Sequence, residues 1–99
     1  MIPVHPGRIL KRELTARSVS ANGLALALRV PSGRVTDILN GKRSLSPDTA
    51  LRLARYFNTS AGFWMNLQTA YDLEVAQDKL SRVIEQEIRP ASFSSAHSS

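Results

Sequence analysis

The segment VPSGRVTDILNGKRS, residues 30–44, combines an apolar and a polar helix face in one short stretch. Val35, Ile38 and Leu39 recur at the spacing of a buried helical stripe. Small polar and basic side chains fill the positions off that stripe, and Gly41 follows where a C-cap glycine belongs. The segment therefore predicts a short helix that rests on the protein along one side and offers its other side to a partner.

A second helix is predicted directly before this one. Ser20 is a good N-cap, and after it four apolar residues share one helix face: Ala21, Leu24, Ala25 and Leu28. Proline fits the first turn of a helix but disrupts its interior, so the first of these two helices must end before Pro31. Only Arg29, Val30 and Pro31 then separate the two helices. Two helices joined by so short a turn form a helix-turn-helix unit, whose second helix can enter the major groove of DNA. The alternative is a plain helical hairpin of a bundle.

The rest of the chain also predicts helices, which gives an all-α fold of five helices. The first opens at Pro6, the fourth at Ser46-Pro47-Asp48, and the fifth after the cap Ser60. A weaker helical pattern continues to Ile84, and Pro90 stops it. We expect one domain over residues 1–89 and a disordered serine-rich tail over residues 90–99.

Charge is concentrated in the first part of this 99-residue chain. Residues 1–58 hold ten Lys and Arg against three Asp and Glu, whereas residues 59–99 hold three against five. A basic body of this kind is compatible with a polyanion partner. No cysteine is present, which excludes disulfides and thiolate metal sites. No apolar run reaches the roughly 18 residues of a membrane span, so we expect a cytoplasmic protein without a membrane partner.

Several motifs together resemble a known family. The stretch from Ser20 to Leu45 resembles the phage-repressor-like (Xre-type) helix-turn-helix. The motifs HPG (5–7), ILNGKR (38–43), DTALRLARYF (48–57) and FWMNLQTAYDL (63–73) resemble the HigA-type antitoxins over roughly three quarters of the chain. The resemblance implies a homodimer that binds a palindromic operator in its own promoter and neutralises a RelE-like mRNA-cleaving toxin. It leaves the toxin contact unassigned, with residues 2–8 as the first candidate.

The residues predicted to contact DNA lie on the helix-turn-helix and directly after it. By match to the repressor-like pattern, Ser32, Gly33, Thr36 and Asp37 face base edges, and Arg34 is best suited to a bidentate contact with guanine. Arg34 and Asp37 are three residues apart and could instead pair with each other. Phosphate contacts are expected from Ser20 and Asn22 before the turn and from Asn40, Lys42 and Arg43 after the second helix.

An aromatic stripe on the fifth helix is predicted to form a dimer contact. Its members are Phe63, Trp64, Leu67 and Tyr71, and they include half of the aromatic residues of the chain. Phe63 and Leu67 are also candidates for the core. A small domain covers such a stripe poorly by itself, so we expect a second copy of the chain to cover it.

Catalysis finds no support in the sequence. His5 and His97 are far apart and lack neighbouring carboxylates, and no Gly-rich phosphate loop occurs. We therefore expect neither an enzyme nor a metal or other cofactor. Two alternatives remain beside the antitoxin: a solitary phage-repressor-like regulator without a toxin, and a protein-interaction module whose basic face binds an acidic partner.

Overall fold

The structure is a computed structural model that describes residues 3–92 of the 99. This part of the chain contains five α-helices. They are α1 (Pro6–Arg17), α2 (Ala21–Leu28), α3 (Ser32–Leu39), α4 (Pro47–Phe57) and α5 (Ala61–Glu87), and no strand occurs between residues 3 and 92. The all-α prediction is confirmed. Most of the predicted tail, residues 90–99, lies outside the described residues, as do Met1 and Ile2.

Serine side chains start three of the helices, as the sequence predicts. The hydroxyl of Ser20 accepts a hydrogen bond from the N–H of Gly23 at 2.9 Å, and Ser60 does the same for Phe63 at 3.0 Å. Ser46 caps α4 in the same way. Each bond satisfies one of the backbone donors that a helix start leaves unpaired, so the chain fixes these starts locally.

The first four helices each end next to a left-handed residue, which after α4 is Asn58. At the end of α3, Gly41 has φ +74°, its N–H bonds the carbonyl of Ile38, and the Lys42 N–H bonds the carbonyl of Asp37. This is a Schellman motif with its preferred glycine. Ser18 and Arg29 adopt the same backbone region after α1 and α2 without being glycine. Val19 and Val30, the residues that follow them, pack on the core and hold these turns in place.

The core lies where α1, α2, α3 and α4 meet the first half of α5. Leu10, Leu24, Ile38, Leu53 and Trp64 are each no more than 2% exposed. Trp64 packs against Phe57 with 5.7 Å between ring centroids, and its indole N–H donates to the Thr59 hydroxyl at 3.0 Å. Trp64 thus joins α5 to the end of α4.

This packing corrects two expectations about the aromatic stripe. Trp64 is 1% exposed inside its own chain, so it offers no surface for the predicted dimer contact. Phe63, expected as a core residue, is 46% exposed and only leans edge-on against Trp64. Leu67 and Tyr71 are half-buried against their own chain. The inward face of α5 is centred on Trp64 and Gln68 rather than on Phe63.

The second half of α5, residues 73–87, extends away from the rest of the fold and forms an arm. The helix has 27 residues, and the molecule measures 55 × 24 × 22 Å. Its radius of gyration is 17.6 Å, against about 13 Å for a compact chain of this length. From residue 77 onward every described residue is exposed. The arm therefore presents its side chains, apolar ones included, outside the core of this copy.

Candidate nucleic-acid interface

The outer side of α3 carries the polar residues that the sequence assigns to DNA. At about 100° per residue, Ser32, Gly33, Thr36, Asp37 and Asn40 fall within an arc of about 140°. All are exposed except Asp37, which is half-buried. Val35 and Ile38, on the opposite side, are 1% exposed and hold α3 against the core. The predicted division of this helix into a buried and a free face is confirmed.

The residues before and after α3 that were predicted to contact phosphates are also exposed. Ser20 and Asn22 are exposed at the start of α2, and Asn40, Lys42 and Arg43 are exposed after α3. Together with the arc on α3, they form a polar surface on the helix-turn-helix unit that nothing in residues 3–92 covers.

Gly33 has no structural reason to be glycine within this chain. A methyl group added at its Cα would meet no atom within 4 Å. Glycine in a helix is less favourable than alanine by about 1 kcal/mol. An open position that nevertheless lacks a side chain leaves room for another molecule to approach the backbone of α3.

Arg34 is held differently from its neighbours on α3. Its Nη1 donates to Oδ2 of Asp48 at 3.2 Å, and its side chain is 28% exposed. Asp37 instead faces Arg43, with 3.9 Å between the charged atoms. The pairing of Arg34 with Asp37 that the sequence left open therefore does not form. Arg34 lies roughly 60° beyond Asp37 around the helix, which turns it toward the first turn of α4.

Every carboxylate of the basic body is matched to arginine. Glu13 pairs with Arg17, Asp37 with Arg43, and Asp48 with both Arg34 and Arg52. The other Lys and Arg side chains of residues 3–58 have no carboxylate within 4.0 Å in the described part of the chain: Arg8, Lys11, Arg12, Arg29, Lys42 and Arg55. The body therefore keeps an excess of positive charge that its own structure does not neutralise.

Residues 3–92 hold neither a cluster of metal-ligating side chains nor a helix that could span a membrane. No group of three His, Cys, Asp or Glu side chains there could hold a metal ion. Within the same range, no helix combines the length and the apolar character needed to cross a membrane.

Comparisons with known proteins agree with this geometry. A family model described as helix-turn-helix matches residues 10–64. A solved addiction-module antidote protein of the HigA family from Coxiella burnetii is 52% identical, with a TM-score of 0.88 over 92% of this chain and 100% of that one. The chain belongs to the HigA family of helix-turn-helix proteins.

Two further comparisons cover most of the chain. The antitoxin HigA of Pseudomonas aeruginosa, solved with the higBA promoter, is 48% identical, with a TM-score of 0.87 over 89% of this chain and 97% of that one. The virulence-associated protein I of Dichelobacter nodosus is 49% identical over 83 residues, which are 82% of this chain and 77% of that protein.

In this HigA-family chain, the HPG motif (5–7) packs against the C-terminal part of α3. The Nδ1 atom of His5 accepts the N–H of Gly7 at 2.9 Å and caps α1, whose first residue is Pro6. The absence of a side chain at Gly7 lets α1 contact the carbonyl of Ile38 in α3. His5 packs edge-on against Tyr71 of α5, with centroids 4.9 Å apart. Burial lowers the pKa of His5, which keeps Nδ1 free to accept.

The same packing bears on the toxin contact predicted at residues 2–8. His5, Pro6 and Gly7 are buried in their own chain, and only Val4 and Arg8 are exposed among the described residues of that segment. A partner would therefore meet the edge of the segment rather than its middle.

Three residues that position α3 were missed by the sequence reasoning. Gln68 of α5, 3% exposed, accepts the N–H of Leu45 at 2.7 Å and donates to Asp72 at 2.9 Å, so it fixes the loop after α3. Asp48 and Arg52 connect α4 to α3 and α2. The sequence identified Asp48 only as part of the helix start Ser46-Pro47-Asp48, and nothing local distinguishes Gln68 from a surface glutamine.

Proposed function

We propose that this protein is an antitoxin that binds operator DNA as a homodimer, represses its own operon and neutralises a RelE-like, mRNA-cleaving toxin. The observation that carries the DNA part is the similarity to a HigA solved on promoter DNA, combined with the free polar face of α3. Repression needs no chemistry, since a protein that occupies the operator excludes the polymerase.

The contacts of this proposal divide by type. Ser32, Thr36 and Arg34 supply side chains for base edges, and Gly33 lets the backbone of α3 approach the groove. Lys42 and Arg43 supply charge for phosphates, as the polar groups of Ser20, Asn22 and Asn40 supply hydrogen bonds. Because Lys and Arg contacts release counterions from DNA, binding weakens steeply as salt rises.

Operator binding is tested with a duplex from upstream of the gene and a scrambled duplex of equal length and composition. We expect wild-type protein to prefer the upstream duplex by about a thousandfold or more, with affinity that falls with salt. Gly33→Ala should raise the melting temperature, because alanine favours the helix. It should also lower operator affinity by roughly tenfold, the effect of one good base contact.

Gly62→Ala is the matched control for this variant. Gly62 is the second residue of α5, as Gly33 is of α3, and a methyl there meets only Ser60 Oγ at 3.8 Å. It should raise stability similarly and leave operator affinity unchanged. Equal affinities of wild-type protein for the two duplexes would refute operator binding, and unchanged affinity of Gly33→Ala would refute the close approach.

We propose that the dimer contact lies on the arm of α5 rather than on the aromatic stripe. Leu73, Ala76, Leu80 and Val83 repeat at intervals of three and four residues, the spacing of a helix-helix seam, with Ile84 beside them. The large apolar side chains of this set, Leu73, Leu80, Val83 and Ile84, are 43% to 56% exposed. A second copy of this chain offers an identical seam, and a twofold dimer would present two α3 helices about one DNA turn, roughly 34 Å, apart. A palindromic operator has this spacing.

The toxin part of the proposal rests on family membership. Co-expression with the product of the adjacent gene should yield a complex that co-purifies, and this protein should relieve the growth arrest caused by that product. The variant Thr36→Ala, which alters the outer face of α3, should still relieve the arrest. If no adjacent product binds or arrests growth, the protein is a solitary regulator.

A further inference from the structure

We propose that Asp48 is a specificity-determining positioning residue: it holds the guanidinium of Arg34 in the orientation that contacts a base edge. The inference rests on the proposed operator binding and names a residue on α4 that acts through α3. The ion pairs of Asp48 lie where α2, α3 and α4 meet.

Both carboxylate oxygens of Asp48 are engaged. Oδ2 accepts from Nη1 of Arg34 at 3.2 Å, and Oδ1 accepts from Nε of Arg52 at 2.8 Å. Nη1 of Arg52 also donates to the carbonyl of Leu28, the last residue of α2, at 2.7 Å. The carboxylate is therefore oriented by an arginine that is itself fixed on the helix preceding the turn.

This arrangement leaves one edge of the Arg34 guanidinium available. Only Nη1 has a hydrogen-bond partner in residues 3–92, so Nε and Nη2 remain. Two parallel N–H groups on one edge match the O6 and N7 acceptors of guanine. A flexible arginine would have to lose side-chain freedom on binding, and a guanidinium already held by Asp48 loses less.

Stability alone does not account for the cluster. The Asp48 side chain is 56% exposed, and the side chains of Arg34 and Arg52 are 28% and 39% exposed. Ion pairs this accessible to water contribute little to folding. The hydrogen bond from Arg52 lowers the pKa of Asp48, with a smaller effect from Arg34, so the carboxylate stays charged at neutral pH. Orientation of Arg34 is the effect that remains.

The test compares specificity ratios, meaning affinity for the operator divided by affinity for the scrambled duplex. We expect Asp48→Ala to lower the ratio by roughly tenfold, with scrambled-duplex affinity equal or higher because a negative charge is removed. In an Arg34→Ala background, Asp48→Ala should leave the ratio unchanged. A set of single base-pair substitutions in the operator should reveal one G·C pair that wild-type protein discriminates and Asp48→Ala does not.

Glu13→Ala is the matched control, since it removes one exposed carboxylate from an arginine pair on α1. It should preserve the ratio, and thermal melts should show all variants folded. An unchanged ratio in Asp48→Ala, or the same loss with and without Arg34, would overturn the inference. If wild-type protein itself fails to discriminate the two duplexes, the proposed operator binding fails first, which separates the two failures.

Discussion

Gly7→Ala is expected to lower the melting temperature by about 15 °C, which corresponds to roughly 3 kcal/mol for a domain of this size. The added methyl group would overlap the backbone carbonyl of Ile38, and neither α1 nor α3 can move without disturbing the core. Thermal unfolding followed by circular dichroism measures the effect. The loss is a large part of the total stability of a small domain.

Gly62→Ala again provides the comparison. Gly7 and Gly62 both occupy the second position of a helix, so intrinsic helix preference favours alanine equally at the two sites. Only Gly7 faces the backbone of another helix. A melting temperature for Gly7→Ala as high as that of Gly62→Ala would show that Gly7 of α1 does not contact the Ile38 carbonyl of α3.

The second large effect is expected from the arm. Changing Leu80 and Val83 together to serine should convert the dimer to a monomer at micromolar concentration, as measured by sedimentation. Operator affinity should fall by about 100-fold or more, because two α3 helices no longer bind as one unit. The melting temperature of the body should change little, since both side chains lie outside the core.

The control for this variant changes the opposite side of the arm. Asp78 and Arg82 lie about 140° to 180° from the centre of the seam, and changing both to serine leaves the net charge unaltered. That protein should remain dimeric and bind the operator as wild type does. Monomeric wild-type protein, both free and on DNA, would contradict the dimer, and a dimeric Leu80→Ser, Val83→Ser protein would place the contact elsewhere.

Features fixed by local chemistry were predictable from the sequence. The serine caps, the prolines at the starts of α1 and α4 and the glycine after α3 each depend on a few neighbouring residues. The ends at Ser18 and Arg29 were not marked by glycine. Both turns make local backbone hydrogen bonds, and the residues that follow, Val19 and Val30, pack against the core, which is a tertiary contact.

Features that depend on contacts between residues distant in the chain were harder to predict from the sequence. Arg34 and Asp48 are separated by 14 positions, so their pairing follows from how α3 and α4 pack. The buried face of α5 was misplaced because its centre includes a polar residue, Gln68, whose partner Leu45 is 23 positions away. A hydrophobic pattern assigns Phe63 inward and Gln68 outward, whereas the structure has the reverse.

The helix that carries the proposed seam also fixes the loop after α3, through the hydrogen bond from the Leu45 N–H to Gln68. In the proposed dimer, the position of the seam along α5 would determine the distance between the two copies of α3. Moving the seam by seven residues would change each arm by about 10 Å, so relatives with longer or shorter arms would select operators whose half-sites are spaced differently.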